Sequence, residues 1–500
     1  MARILLIPLD ERPCNTKFPA MIAKSGGIQL IQPNDRLLGN KKQPADTTAL
    51  KDFLIDQASS TDVAILSLDM LVYGGLIPSR LHHLSQNEAL ARLETVRELK
   101  KANPTLTVYA SMSIMRSPAY NSDDEEPSYY AIHGRDLFRR AYLTDKKRRK
   151  GLSAIEQKEL DSIVIAENVV QDYENRKHIN LTVNAACLDL LSDGSIDFLA
   201  LPQDDSSPYG YSAIAQQQLQ KAISAAGVHD QLMVYPGSDE VACTLLSRAI
   251  CSIQKKKPTF GIHYASTLGP TLVPLYEDRP MFESLKSHVM ACGGRLADSD
   301  EHADIELMVN APGKCMQEAR QAILNRDMTY DSFRNLPQFE ASIERYLLEG
   351  RRVAVCDSAY SNGGDPQLVD DLDRSGALGG LIGYAGWNTN CNTLGTVLSQ
   401  AVIADSQNPQ TSANLVYRLI EDTFYQTKTR WTIAGRAKEH GGSYEDIMPC
   451  NDWAETETKS DLQKQYNKTK LSKTLPACIR TVRFPWKRLF EINLDVDMAV

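Results

Sequence analysis

The chain has 500 residues, of which 42% are hydrophobic, 24% charged and 7% aromatic. That composition suits one large globular domain or two to three ordinary ones, and it excludes collagen-like, low-complexity and wholly disordered classes. Fifty-five Lys and Arg against 63 Asp and Glu leave a net charge of −8, so no general cationic field exists to attract nucleic-acid phosphates or anionic lipid.

In chain order, apolar runs rich in β-branched residues alternate with stretches of helical period as far as residue 400, the pattern of parallel strands joined by helices. Eight strands are predicted over 4–8, 63–68, 106–113, 198–202, 231–235, 305–309, 353–356 and 380–384. Eight is the number that closes a (β/α)8 TIM barrel, which is the expected fold class. Two further runs, 28–31 and 260–264, fall outside that count and point to the alternative, an open doubly wound parallel sheet.

A helical insertion over 117–191 follows the third predicted strand. It opens with Asp123-Asp124-Glu125-Glu126, and its basic run at 146–150 reads as a solvated helix face. The expected division is therefore a catalytic domain over 1–405 and a C-terminal helical extension over 406–500 that packs back on it. No apolar run approaches the roughly 18 to 20 residues that span a bilayer, and the first run stops at Asp10-Glu11-Arg12, so neither an anchor nor a secretion signal is expected. Ten scattered cysteines with no Cys-x-x-Cys pair read as small buried residues in a reducing, cytoplasmic setting.

Ligands of barrels and open parallel sheets meet the carboxyl ends of the strands, so the residues just beyond each strand are the candidate site. These are Asp10, Glu11 and Arg12, Asp69 and Tyr73, Arg116, Asp204 and Asp205, Asp239, Asn310, Asp357 and Asn362, and Trp387 and Asn388. Carboxylates and amides bind hydroxyls and an aromatic face stacks on C–H surface, so this inventory suits a small-molecule carbohydrate. Asp204-Asp205 is the sharpest element, because two close carboxylates repel and one then keeps its proton as a general acid. Neighbours on a strand face opposite ways, so the pair acts together only if the backbone turns there; otherwise it is an Asx-turn and helix cap. Asp10 and Glu11 read equally as an acid/base pair or as a brace for Arg12, Asp239 reads as a site carboxylate or, more readily, as a helix-end charge, and the glycine-rich loop holding Asp357 and Asn362 either admits ligand close to the backbone or only shapes a turn.

No phosphate-binding glycine motif occurs, so no nucleotide cofactor is expected, and no histidine motif supports zinc. The alternative cofactor is Mg²⁺ or Mn²⁺ on oxygen ligands from Asp10, Asp69, Asp239 and Asp357.

The phrases Pro8-Leu9-Asp10-Glu11-Arg12-Pro13-Cys14-Asn15, Tyr73-Gly74-Gly75-Leu76-Ile77-Pro78-Ser79-Arg80, Ala385-Gly386-Trp387-Asn388-Thr389 and Pro485-Trp486-Lys487-Arg488-Leu489-Phe490-Glu491 resemble the bacterial family known as domain of unknown function 4127 over nearly the full length. That resemblance implies no particular activity. Asp204-Asp205 is also similar to the acid pair after the fourth strand of barrel N-acetylhexosaminidases that use the substrate's own acetamido group. By that likeness Asp204 orients the acetamide, Asp205 protonates the leaving oxygen, and Trp387 and Asn388 line the pocket. The expected function is glycoside hydrolysis on a small glycan; the rivals are a metal-dependent hydrolase or lyase and a non-catalytic sugar-binding protein.

Overall fold

In the computed structural model, which describes residues 2–298 and 302–498, each of the ten predicted strand runs overlaps a strand. The first sheet holds β1 (Arg3–Ile7), β2 (Gln29–Ile31), β3 (Val63–Ser67), β4 (Thr107–Ser111), β5 (Phe198–Gln203) and β6 (Leu232–Pro236), in the order β2-β1-β3-β4-β5-β6. Its pairings from β1 through β6 are parallel, with Ile4 opposite Val63, Val63 opposite Thr107 and Leu199 opposite Leu232. Every residue of β3 and β5 is buried, which is what continuous apolar runs require when both faces of a sheet are covered.

The second sheet holds β7 (Thr259–Tyr264), β8 (Arg295–Leu296), β9 (Ile305–Asn310), then β11 (Val353–Asp357) and β13 (Gly383–Ala385), in the order β13-β11-β9-β7-β8, all parallel. Two short strands, β10 (Gln317–Glu318) and β12 (Tyr360–Ser361), pair beside it. The TIM barrel is therefore corrected to two open parallel sheets: among the described residues no pairing joins the edges of either one. Counting the strands of each sheet from its own first strand, both run 2-1-3-4-5, with a sixth strand added in the first sheet. Each thus reverses direction beside its first strand, the point where open α/β sheets bind ligands.

The chain divides into two compact units. The first comprises the residues up to Glu11, Leu30–Ala242 and Tyr276–Asp278; the second comprises Arg12–Gln29, Cys243–Leu275 and the residues from Arg279 onward. Each has its own apolar core, around Leu5, Leu66, Val108 and Leu199 in the first and around Phe260, Leu307, Cys356 and Val397 in the second.

The insertion forms the helices Tyr130–Arg149, Ala154–Ser162 and Glu167–Ser192, with a small core of Met115, Tyr130, Leu137, Val170 and Tyr173. The residues after 405 belong to the second unit. They include the helix Asn451–Tyr466 and an antiparallel hairpin of β14 (Ala477–Arg483) and β15 (Asn493–Met498). Among the described residues no helix is long and apolar enough to cross a membrane. All ten cysteines are free thiols; Cys315 and Cys478 are exposed, a correction to the expectation of uniform burial.

Candidate functional site

In the first unit, β3 runs straight into the helix Leu68–Tyr73, because the Ser67 hydroxyl accepts the Met70 N–H at 3.3 Å and caps it without an intervening loop. Asp69 therefore lies in the first turn, 1% exposed, with Oδ2 accepting the Ser113 N–H at 2.9 Å. Burial pushes its carboxyl up to about 6 in spite of that bond. Gly74 ends the helix at φ +85°, where a Cβ would lie 2.7 Å from the Ala45 nitrogen. The next helix, Leu76–Leu81, then carries Arg80 inward.

Beyond their ends, β4 and β5 stay side by side: the Ile114 N–H donates to Pro202 O at 2.8 Å, and Ile114 bridges Gln203. This brings the loop bearing Arg116 against Asp204 and Asp205. Arg80 donates to Asp204 Oδ2 at 2.5 Å and to Glu125 Oε2 at 2.8 Å. Arg116 donates to Glu125 Oε2 at 2.7 Å, Glu126 Oε1 at 3.0 Å and Asp205 Oδ2 at 3.2 Å.

The backbone does turn at the pair, with Asp205 in the left-handed region at φ +42°, so both aspartates join one network. Two guanidiniums face four carboxylates there, and the Asp204 and Asp205 side chains keep 17% and 29% of their exposure. Burial, offset by Arg116 and reinforced by the Asp204 charge, pushes the Asp205 carboxyl up from the usual aspartate range. Lys177, on the insertion's last helix, donates to the carbonyls of Arg116 at 2.8 Å and Met115 at 3.3 Å; desolvation brings its ammonium down to about 7.

The second unit has its own cluster at the ends of β9, β11 and β13. Asp357, 0% exposed, accepts from Asn310 Nδ2 at 2.8 Å, the Asp365 N–H at 2.7 Å and the Tyr384 hydroxyl at 2.7 Å. Arg334 joins Asn310 to Asp365, and Asp365 caps the helix Pro366–Ser375. Burial, then the neighbouring Asp365, raises the Asp357 carboxyl. A π-helical stretch, Leu419–Thr429, contributes Asp422, whose Oδ2 accepts the Gly386 N–H at 2.8 Å. These groups are buried, so the cluster binds strand ends together.

Of the residues singled out from sequence, Arg116, Asp204 and Asp205 join one network in the first unit, with Asp69 near enough for the Asp204 charge to act on it, and Asn310 and Asp357 meet in the second. Asn362 and Asn388 also meet in the second unit, where Asn362 N–H donates to Asn388 O at 2.8 Å and both sit at φ +58°. Glu11 accepts the Lys41 N–H at 2.7 Å in the first unit, where Asp10 is buried and Asp239 half-buried just before the helix Val241–Gln254. Arg12 belongs to the second unit and lies 4.5 Å from the Trp486 ring. Tyr73 is buried and stacks on His82 at 4.6 Å, so its phenol is a packing element.

Trp387 is corrected from a sugar platform to a core residue. It is 1% exposed, meets Phe18 edge-on at 5.6 Å and points Nε1 toward Thr396 Oγ1 at 3.4 Å. Sequence reading placed no role on Lys177 or on Glu125 and Glu126, and gave Arg80 none beyond its place in a family phrase. The acidic run was legible, but its reach back to Arg80 and Arg116 is a tertiary contact. Among the described residues, no group of three or more His, Cys, Asp or Glu side chains is arranged to hold a metal ion.

The family model described as Protein of unknown function (DUF4127) matches residues 4–495, a span that takes in both sheets and both clusters. Comparison with the curated proteins finds no match. With nearly its whole length matched, the chain belongs to the DUF4127 family.

Proposed function

We propose that the first unit hydrolyses a glycosidic bond in a small glycan, with N-acetylhexosamine-containing substrates the first class to test. The observation that carries this reading is the turned Asp204-Asp205 pair, half-open at the carboxyl end of β5, in which burial favours the protonated form of Asp205. Asp205 donates its proton to the glycosidic oxygen as the bond to the anomeric carbon breaks. It then takes a proton from the water that attacks that carbon. Asp204, bonded to Arg80, orients the substrate, and Arg116 fixes the Asp205 carboxyl between turnovers.

The test is a screen of the purified protein on aryl glycosides, including N-acetylhexosaminides, with and without EDTA and beside Asp205→Asn. Release that survives EDTA and vanishes in the variant supports the carboxylate mechanism. Release lost only with EDTA favours a metal-dependent hydrolase, and sugar binding without turnover favours a binding protein.

A further inference from the structure

The second unit carries a group of donors that the acid pair does not use. Trp431 is the second residue of the helix Arg430–Ala437, just after the π-helical stretch; it is half-buried and stacks on Tyr444 with centroids 5.2 Å apart and planes 6° from parallel. Arg320 lies over its ring at 4.2 Å and Arg430 at 4.8 Å. Arg430 is 1% exposed and, among the described residues, donates only to the backbone carbonyls of Phe490 at 3.0 Å and Asn362 at 3.1 Å. Neither arginine has a carboxylate at ion-pairing distance among the described residues. The Arg430 Nε–H and the Trp431 Nε1–H are both buried and meet no acceptor among the described residues.

Buried donors without acceptors are costly, as is a buried guanidinium bonded only to neutral carbonyls, and an incoming oxyanion would relieve both. Arg320 is exposed and held only by the ring beneath it, so an anion can draw it aside and uncover Trp431. A carboxylate or phosphate supplies several acceptor oxygens, and an attached sugar supplies the C–H face that an indole prefers.

We propose that Arg430, Trp431 and Arg320 form an oxyanion site in the second unit that takes the carboxylate or phosphate of a sugar acid or sugar phosphate. The site does not depend on the glycosidase reading, because none of its residues belongs to the first unit.

The test follows the four tryptophan indole N–H signals of the ¹⁵N-labelled full chain, with the Trp431 signal identified by Trp431→Phe. The probes are glucuronate, glucose 6-phosphate, inorganic phosphate and glucose at millimolar concentration. The expected result is a saturable shift of the Trp431 signal with glucuronate or glucose 6-phosphate, none with glucose, and affinity lowered at least about tenfold in Arg320→Gln. Which of the two acids binds more tightly distinguishes the sources of the anion. No shift with any probe, or equal affinity in Arg320→Gln, overturns the site. Inorganic phosphate binding as tightly as glucose 6-phosphate, with no response to glucuronate, overturns its assignment to sugars.

Discussion

The two units use one strand order, 2-1-3-4-5, and treat charge at the strand ends in opposite ways. In the first, four carboxylates share two guanidiniums, Asp204 and Asp205 remain partly exposed, and the chain holds a left-handed turn at Asp205. In the second, Asp357 is sealed by three donors and no exposure is left. Topology alone places polar groups at the carboxyl edge of a parallel sheet. Whether they do chemistry or hold strands together depends on whether water and substrate reach them.

The sharpest way to break this contrast is to neutralise one carboxyl in each unit. Asp205→Asn is expected to lower kcat by at least about 100-fold, the low end for removing a general acid, with the melting temperature nearly unchanged. Asp357→Ala strands three buried donors and is expected to cost roughly 3 kcal/mol in denaturant unfolding. A stable Asp357→Ala protein would break the division of roles.

A comparable effect, spread over a pH window, concerns Asp69. Its folded carboxyl is raised from 3.8 to about 6, so the folded state holds its proton more tightly than the unfolded chain does. The stabilisation is complete below the unfolded value and is lost as pH rises through about 6. Unfolding free energy is expected to fall over that window by about 3 kcal/mol from this group, and Asp69→Asn should flatten the slope. Trp387→Phe, the mildest change, should cost about 1.5 kcal/mol of packing and leave sugar affinity unchanged. Weaker sugar binding in that variant would return Trp387 to the site.

The sequence pattern identified strands far better than their partners. β-branched runs mark 63–68 and 198–202 plainly, whereas pairing order is a long-range property that periodicity does not encode. Setting aside 28–31 and 260–264 produced the eight that suggested a barrel; those runs are β2, at the edge of the first sheet, and β7, flanked by β8 and β9 in the second. The C-terminal hairpin was missed although Ile479 is buried between exposed Cys478 and Arg480 and Val482 is buried before exposed Arg483, an irregular alternation broken by a register shift between Ile479 and Thr481. At the site, the sequence left Asp204-Asp205 open between a turned acid pair and an Asx-turn with a helix cap, and the backbone does turn at Asp205. Arg80 was not legible, because its role arises from the fold of a loop more than 40 residues away, where Glu125 lies. Trp387 misled because an aromatic next to an amide looks the same in sequence whether it faces a pocket or a core.

The most direct test of the account is the rate of aryl glycoside hydrolysis across pH for the wild type and Asp205→Asn. The account predicts a wild-type rate that falls as pH rises through a value above the ordinary aspartate range, where Asp205 loses its proton, and a variant with little activity at any pH. A variant that hydrolyses as fast as the wild type, with the same falling limb, would contradict it.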